Sequence, residues 1–131
     1  MIGLDTNVLV RHLTGIGEGD EVTRATAVMR SLTTSVPGFV TIVAVLETWW
    51  VLGSSYGVSV NDRCDHIDKM LRVKVLVFER RSAVISALAA TREGADFADA
   101  LIAAVSAEER CARVLTFDQR AVKRAGMELV P

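Results

Sequence analysis

Short, mostly apolar runs alternate with helical patterns along this chain, and that alternation restricts the fold more than any other feature. The runs are Ile2–Leu4, Gly38–Thr41, Lys74–Phe78, Arg113–Phe117 and Met127–Val130. Each reads as a short buried strand. Helical patterns cover Thr6–Leu13, Glu21–Leu32, Val43–Ser54, a stretch capped by Ser59 and ending near Arg72, Arg81–Glu93, Phe97–Glu109 and Gln119–Arg124. Parallel strands need crossover connections, and helices between such strands cover both faces of the sheet. The expectation is an α/β fold built on a parallel sheet.

Prolines occur only at positions 37 and 131, and no Pro-, Gly- or Ser-rich linker divides the chain, so residues 1–131 read as a single domain. At 131 residues and 50% apolar composition, the chain can bury roughly 68% of its unfolded surface without staples. Disordered, collagen-like and disulfide-scaffold classes are thereby excluded. The loosest stretch, Thr14–Asp20, holds three glycines and reads as a mobile loop before a helix capped by Asp20. Cys64 and Cys111 lack a CxxC or Cys/His context and read as reduced, mostly buried thiols. The opening Met1-Ile2-Gly3-Leu4-Asp5 has no basic and apolar leader pattern. The longest apolar stretch, Val40–Leu52, is interrupted by Thr41, Glu47 and Thr48 and falls short of the roughly 20 residues that span a bilayer. A soluble, cytoplasmic protein is expected.

Four acids stand in apolar surroundings. Asp5 lies between Ile2-Gly3-Leu4 and Val8-Leu9-Val10, and Glu47 inside Ile42–Leu52. Asp99 is the one polar residue in Phe97–Val105, and Asp118 directly follows Val114-Leu115-Thr116-Phe117. Carboxylates are almost never fully buried unless paired or bound to metal. Asp5 and Asp118 come where a strand hands over to a helix, which is where open parallel sheets bind ligands. The plainer reading of Asp5, Asp96 and Asp118 is an ordinary helix N-cap, and of Glu47 and Asp99 a helix edge turned to solvent. Four acids sharing one cleft would repel each other, and a divalent cation relieves that repulsion. An all-oxygen donor set suits Mg²⁺ or Mn²⁺. Such ions activate water and assist displacement at phosphorus.

These residues resemble the motifs of PIN-domain nucleases. Gly3-Leu4-Asp5-Thr6-Asn7-Val8-Leu9-Val10-Arg11 is similar to the family's opening motif, and Glu47 with Trp50-Val51-Leu52 to its second acidic position. Ala95–Ala104, containing Asp96 and Asp99, resembles the third, and Thr116-Phe117-Asp118 the fourth. The likeness runs from Gly3 to about Leu129, and the single-domain form resembles VapC toxins of type II toxin–antitoxin pairs. It implies a three-layer Rossmann-like sandwich with a mostly parallel central sheet. It implies a Mg²⁺- or Mn²⁺-dependent endoribonuclease whose metal-binding, catalytic quartet is Asp5, Glu47, Asp99 and Asp118. Asp96 would support them, Thr6 and Asn7 would orient Asp5 or bound waters, and Thr116 would do the same for Asp118. The resemblance further implies an RNA substrate, a homodimer and a cognate antitoxin whose peptide arm enters the site.

The rest of the sequence is read more plainly. His12 and His66 have no partner at metal spacing. Trp49 and Trp50 are adjacent and cannot share a helix face, so one packs inside and the other is free for a partner. Arg110, Arg113, Arg120, Lys123 and Arg124 form the densest basic region, either a solvated face or an RNA-phosphate surface. Arg120 and Arg11 are the candidate phosphate contacts. Fifteen basic against sixteen acidic residues give −1; with the quartet set aside, fifteen face twelve, and the remainder is +3. Two other functions compete with this one. A receiver-like phosphoacceptor would want an acidic pair after the first strand and a Lys after the last long one, but Thr6-Asn7 follow Asp5 and Leu115–Asp118 holds no Lys. A catalytically silent PIN-like binding module would not need its acids intact.

Overall fold

Every strand pairing in the computed structural model, which describes Met1–Pro131, is parallel. The chain divides into two units, Met1–Glu79 and Arg80–Pro131. The first contains β1 (Ile2–Gly3), α1 (Thr6–Thr14), α2 (Glu21–Ser31), β2 (Gly38–Val40), α3 (Ile42–Ser54), α4 (Val60–Leu71) and β3 (Leu76–Phe78). Its sheet has the order β1-β2-β3, with Ile2 opposite Gly38 and Gly38 opposite Leu76. Helices α1 and α2 carry the chain from β1 to β2, and α3 and α4 from β2 to β3. The second unit contains α5 (Arg81–Arg92), α6 (Phe97–Glu108), β4 (Leu115–Thr116), α7 (Gln119–Ala125) and β5 (Glu128–Leu129), with β4 beside β5. The α/β class and the parallel strands match the sequence reading. No helix is long and apolar enough to cross a membrane.

β2 and β4 stop before their apolar runs do because the chain leaves the ladder early to cap the next helix. Thr41 Oγ1 accepts a hydrogen bond from the Ala44 amide at 3.0 Å, which starts α3 one residue earlier than its apolar pattern suggests. Phe117 likewise lies outside β4, since Asp118 already caps α7. Ser59 caps α4 as expected, accepting from the Asp62 amide. Asp20 flanks α2 but makes no side-chain cap; its carboxylate faces Arg24 at 3.7 Å instead. Gly126 ends α7 in the left-handed conformation, at φ 69°, that a Cβ would penalise.

Apolar faces close each unit. In the first, Leu9 and Val10 of α1, Val45 and Leu52 of α3, and Cys64 and Ile67 of α4 are fully buried. Trp49 packs inside with the Arg63 guanidinium 4.4 Å over its ring, while Trp50 is 70% exposed. In the second, Ala83, Ala87 and Leu88 of α5 pack with Phe97, Ala100 and Leu101 of α6, where small alanines let the two helices approach. Cys64 is buried as expected, but Cys111 is exposed because α6 ends before it.

Gly38 opens β2 in the middle of the three-stranded sheet. A Cβ there would lie 2.7 Å from Leu4 Cδ1, 2.9 Å from Leu32 Cδ1 and 3.1 Å from Leu76 Cδ2. All three leucines are buried and cannot swing away into solvent. Gly38→Val is expected to lower stability by about 1–3 kcal/mol through overpacking, read as a shifted midpoint in urea unfolding.

Candidate functional site

Three of the predicted acids sit at helix N-termini, and they do not behave alike. Asp96 caps α6: its Oδ2 accepts the Asp99 amide at 3.1 Å. Asp118 caps α7: its Oδ1 accepts the Arg120 amide at 2.8 Å, and its own amide donates to Thr116 Oγ1 at 3.0 Å. Asp5 occupies the N-cap of α1 in extended conformation, yet its side chain makes no cap bond. The cap reading therefore accounts for Asp96 and Asp118 and leaves the Asp5 carboxylate without that task.

The apolar sequence around the acids does not bury them. Asp5, Glu47 and Asp118 are exposed and Asp99 is half-buried. On α3, Val45, Thr48, Trp49 and Leu52 take the inner face, and Glu47 shares the outer one with Val43, Leu46 and Trp50. On α6, Ala100 and Leu101 face inward, while Asp99 and Ile102 turn outward. A helix points neighbours in sequence to different faces, so an apolar run is no guarantee of an apolar environment.

Two of the four acids belong to each unit. In the first, Asp5 begins α1 and Glu47 rides on α3, and α1 packs against α3. Each is followed by a buried threonine, Thr6 and Thr48, whose hydroxyl has no hydrogen-bond partner. Asn7 is exposed and lines, with Val8, Arg11, Glu21 and Ala25, a cleft of about 300 Å³ between α1 and α2. Arg11 Nε is held by Glu21 Oε2 at 2.5 Å.

In the second unit the acids interact. Partial burial, then the negative charges of Asp96 and Asp118, raise the Asp99 pKa above the usual aspartate range; the exposed Arg120 pulls it back down. Asp96 and Asp118 thus crowd Asp99 with negative charge that Arg120 only partly offsets. Hard carboxylate oxygens in excess of cations are chemically suited to Mg²⁺ or Mn²⁺. The structure contains no group of three or more His, Cys, Asp or Glu side chains arranged closely enough to hold an ion.

Two features escaped the sequence. Glu79, after β3, takes the amide of Ile42 on its Oε1 at 2.7 Å and joins Thr41 in capping α3. Its partner lies 37 residues away, so no local pattern signals it. Phe117, read as a strand residue, is 86% exposed beside Asp118; the cap signal of an Asp before a short helical pattern was the available clue.

Comparison with family models gives a match to the PIN domain over residues 2–127 of the 131. The chain belongs to the PIN domain family. A comparison with curated proteins gives no match. PIN domains are generally hydrolytic nucleases and typically use divalent metal ions. The PIN domain match does not favour the receiver-like or silent-module readings.

The Asp99 shift carries a stability consequence. Its folded state holds a proton more tightly than the unfolded chain, so that stabilisation is complete below the ordinary aspartate pKa of 3.8 and is lost as pH rises through the raised value. Without added metal, Asp99→Asn should melt at a higher temperature than wild type near neutral pH. The difference should close as pH falls below about 4. Melting curves across that range check the sign.

Proposed function

We propose that this PIN domain is a Mg²⁺- or Mn²⁺-dependent endoribonuclease, with Asp5, Glu47, Asp99 and Asp118 as the acids on which cleavage depends. The observation that carries the reading is the PIN-domain match over residues 2–127, joined by Asp96, Asp99 and Asp118 gathered at the starts of α6 and α7. Asp5, Asp99 and Asp118 would hold the ion directly or through water. When bound, the ion lowers the pKa of an attacking water and offsets charge developing on the phosphate oxygens. Glu47 has three roles open to it: sharing that ion, holding a second, or taking a proton from the water. Attack on the phosphodiester expels the 3′-oxygen and leaves a 5′-phosphate. Asp96 supports Asp99 by capping α6, and Thr116 fixes the turn before Asp118. Thr6 and Asn7, which follow Asp5 on α1, would orient its carboxylate or its bound waters.

Arg120, whose charge acts on Asp99, would meet a substrate phosphate. Arg11, whose Nε is paired with Glu21, would do so through its terminal guanidinium nitrogens. We further read the protein as the toxin of a type II toxin–antitoxin pair, acting in the cytoplasm as a homodimer of one PIN domain per chain. Support comes from the motif likeness and from the outer face of α3, where Val43, Leu46 and Trp50 are exposed in a stripe that protein partners favour.

Purified protein should cleave single-stranded RNA with Mg²⁺ or Mn²⁺ and not with EDTA. Asp5→Asn and Asp99→Asn should each lose about 100-fold or more in rate while remaining folded by circular dichroism. Mn²⁺ at about 100 times its Kd should stabilise wild type by about 2.7 kcal/mol and both variants by less. Full activity in Asp99→Asn refutes the assignment. A folded protein with neither cleavage nor a Mn²⁺ shift is a silent binding module.

A further inference from the structure

Phe117 has no packing role in the fold. It is the most exposed of the large apolar residues, above even Trp50, and it lies between β4 and α7 at the edge of the Asp96, Asp99 and Asp118 patch. The residues on either side of it are nevertheless held by hydrogen bonds. Thr116 Oγ1 accepts the Asp118 amide, Asp118 Oδ1 accepts the Arg120 amide, and the Thr116 carbonyl accepts the Val130 amide at 2.9 Å. An aromatic side chain is thus presented to solvent from a fixed turn, flanked by Asp118 on one side and the exposed Arg120 two residues beyond it.

We propose that Phe117 is a base-stacking residue for unpaired RNA, gripping the nucleobase next to the phosphate that meets Asp99 and Asp118. This rests on the ribonuclease reading above. The chemistry favours it because a patch of carboxylates repels phosphate, so a substrate strand needs neutral and cationic contacts close by. A ring supplies the first and Arg120 the second. Every base offers a π-face, so stacking tolerates sequence. A base within a duplex has that face covered, so the contact with Phe117 requires an unpaired base. Holding the turn rigid in advance lowers the ordering cost of the contact.

The test uses single-stranded RNA carrying 2-aminopurine, whose fluorescence falls on stacking, with full-length Asp99→Asn protein in Mg²⁺ so that the strand stays intact. Against that background, Phe117→Leu and Phe117→Ala should raise Kd about 5- to 150-fold, the range of a lost base–aromatic stack, and abolish the quenching. Phe117→Trp should keep both, and the same RNA annealed to its complement should bind weakly to all. Phe117 is exposed, so the variants should fold and melt as their parent does. With Asp99 intact, Phe117→Leu should raise the KM for cleavage by a similar factor. Phe117→Leu binding, quenching and cleaving like its parent overturns the proposal while leaving the ribonuclease reading standing. A fall from dimer to monomer by light scattering, with RNA affinity unchanged, assigns the ring to a protein interface and also overturns it. A wild type that neither binds nor cleaves RNA removes both.

Discussion

Three residues of β2 organise the first unit. Gly38, Phe39 and Val40 have a parallel strand on either side, and backbone hydrogen bonds extend past both neighbours. Leu4 donates to the Phe39 carbonyl at 3.0 Å, and Glu79 to the Val40 carbonyl at 2.9 Å. The first of these fixes where β1 stops, and so where Asp5 stands at the start of α1. The second brings Glu79 beside the first turn of α3. With Thr41 it satisfies two amides that would otherwise be orphaned at that N-terminus. The starting phase of α3 is thereby set, and with it the face on which Glu47 emerges five residues later. All of this depends on a missing side chain at Gly38, where Leu4, Leu32 and Leu76 already fill the space.

The order and type of elements were legible because they follow from local signals: apolar runs, helical periodicity and cap residues such as Ser59 and Asp96. Strand lengths were less so, since Thr41 and Asp118 serve the following helix instead of the ladder. The candidate acids were legible as types at spacings, but their environment was not. Leu46, Glu47 and Thr48 are consecutive, yet Thr48 is fully buried and the other two are exposed. A run of apolar letters hides that division because the helix separates neighbours by about 100°. Long-range pairings were invisible for a simpler reason. Nothing near Ile42 announces Glu79, and nothing near Arg80 announces the ion pairs it forms with Glu108 and Glu109.

Electrostatics in the second unit have two scales. Asp96 and Asp118 are each stabilised by the helix whose first amides they accept, a local benefit available to a single carboxylate. Asp99 feels both of them as repulsive neighbours, besides losing some solvent. The same two side chains therefore support the structure and load the site with charge. The near-zero net charge of the whole chain conceals this arrangement, because it averages an acidic patch with a basic remainder that includes Arg120.

That double service has an evolutionary corollary. Asparagine caps helices about as well as aspartate, so Asp-to-Asn drift at positions 96 and 118 would leave α6 and α7 properly started while draining the patch of charge. A lineage released from the need for the chemistry could shed it there without any loss of foldability. Asp5 differs: its side chain makes no cap hydrogen bond, so an Asp-to-Asn change there would cost α1 no capping contact and remove only charge.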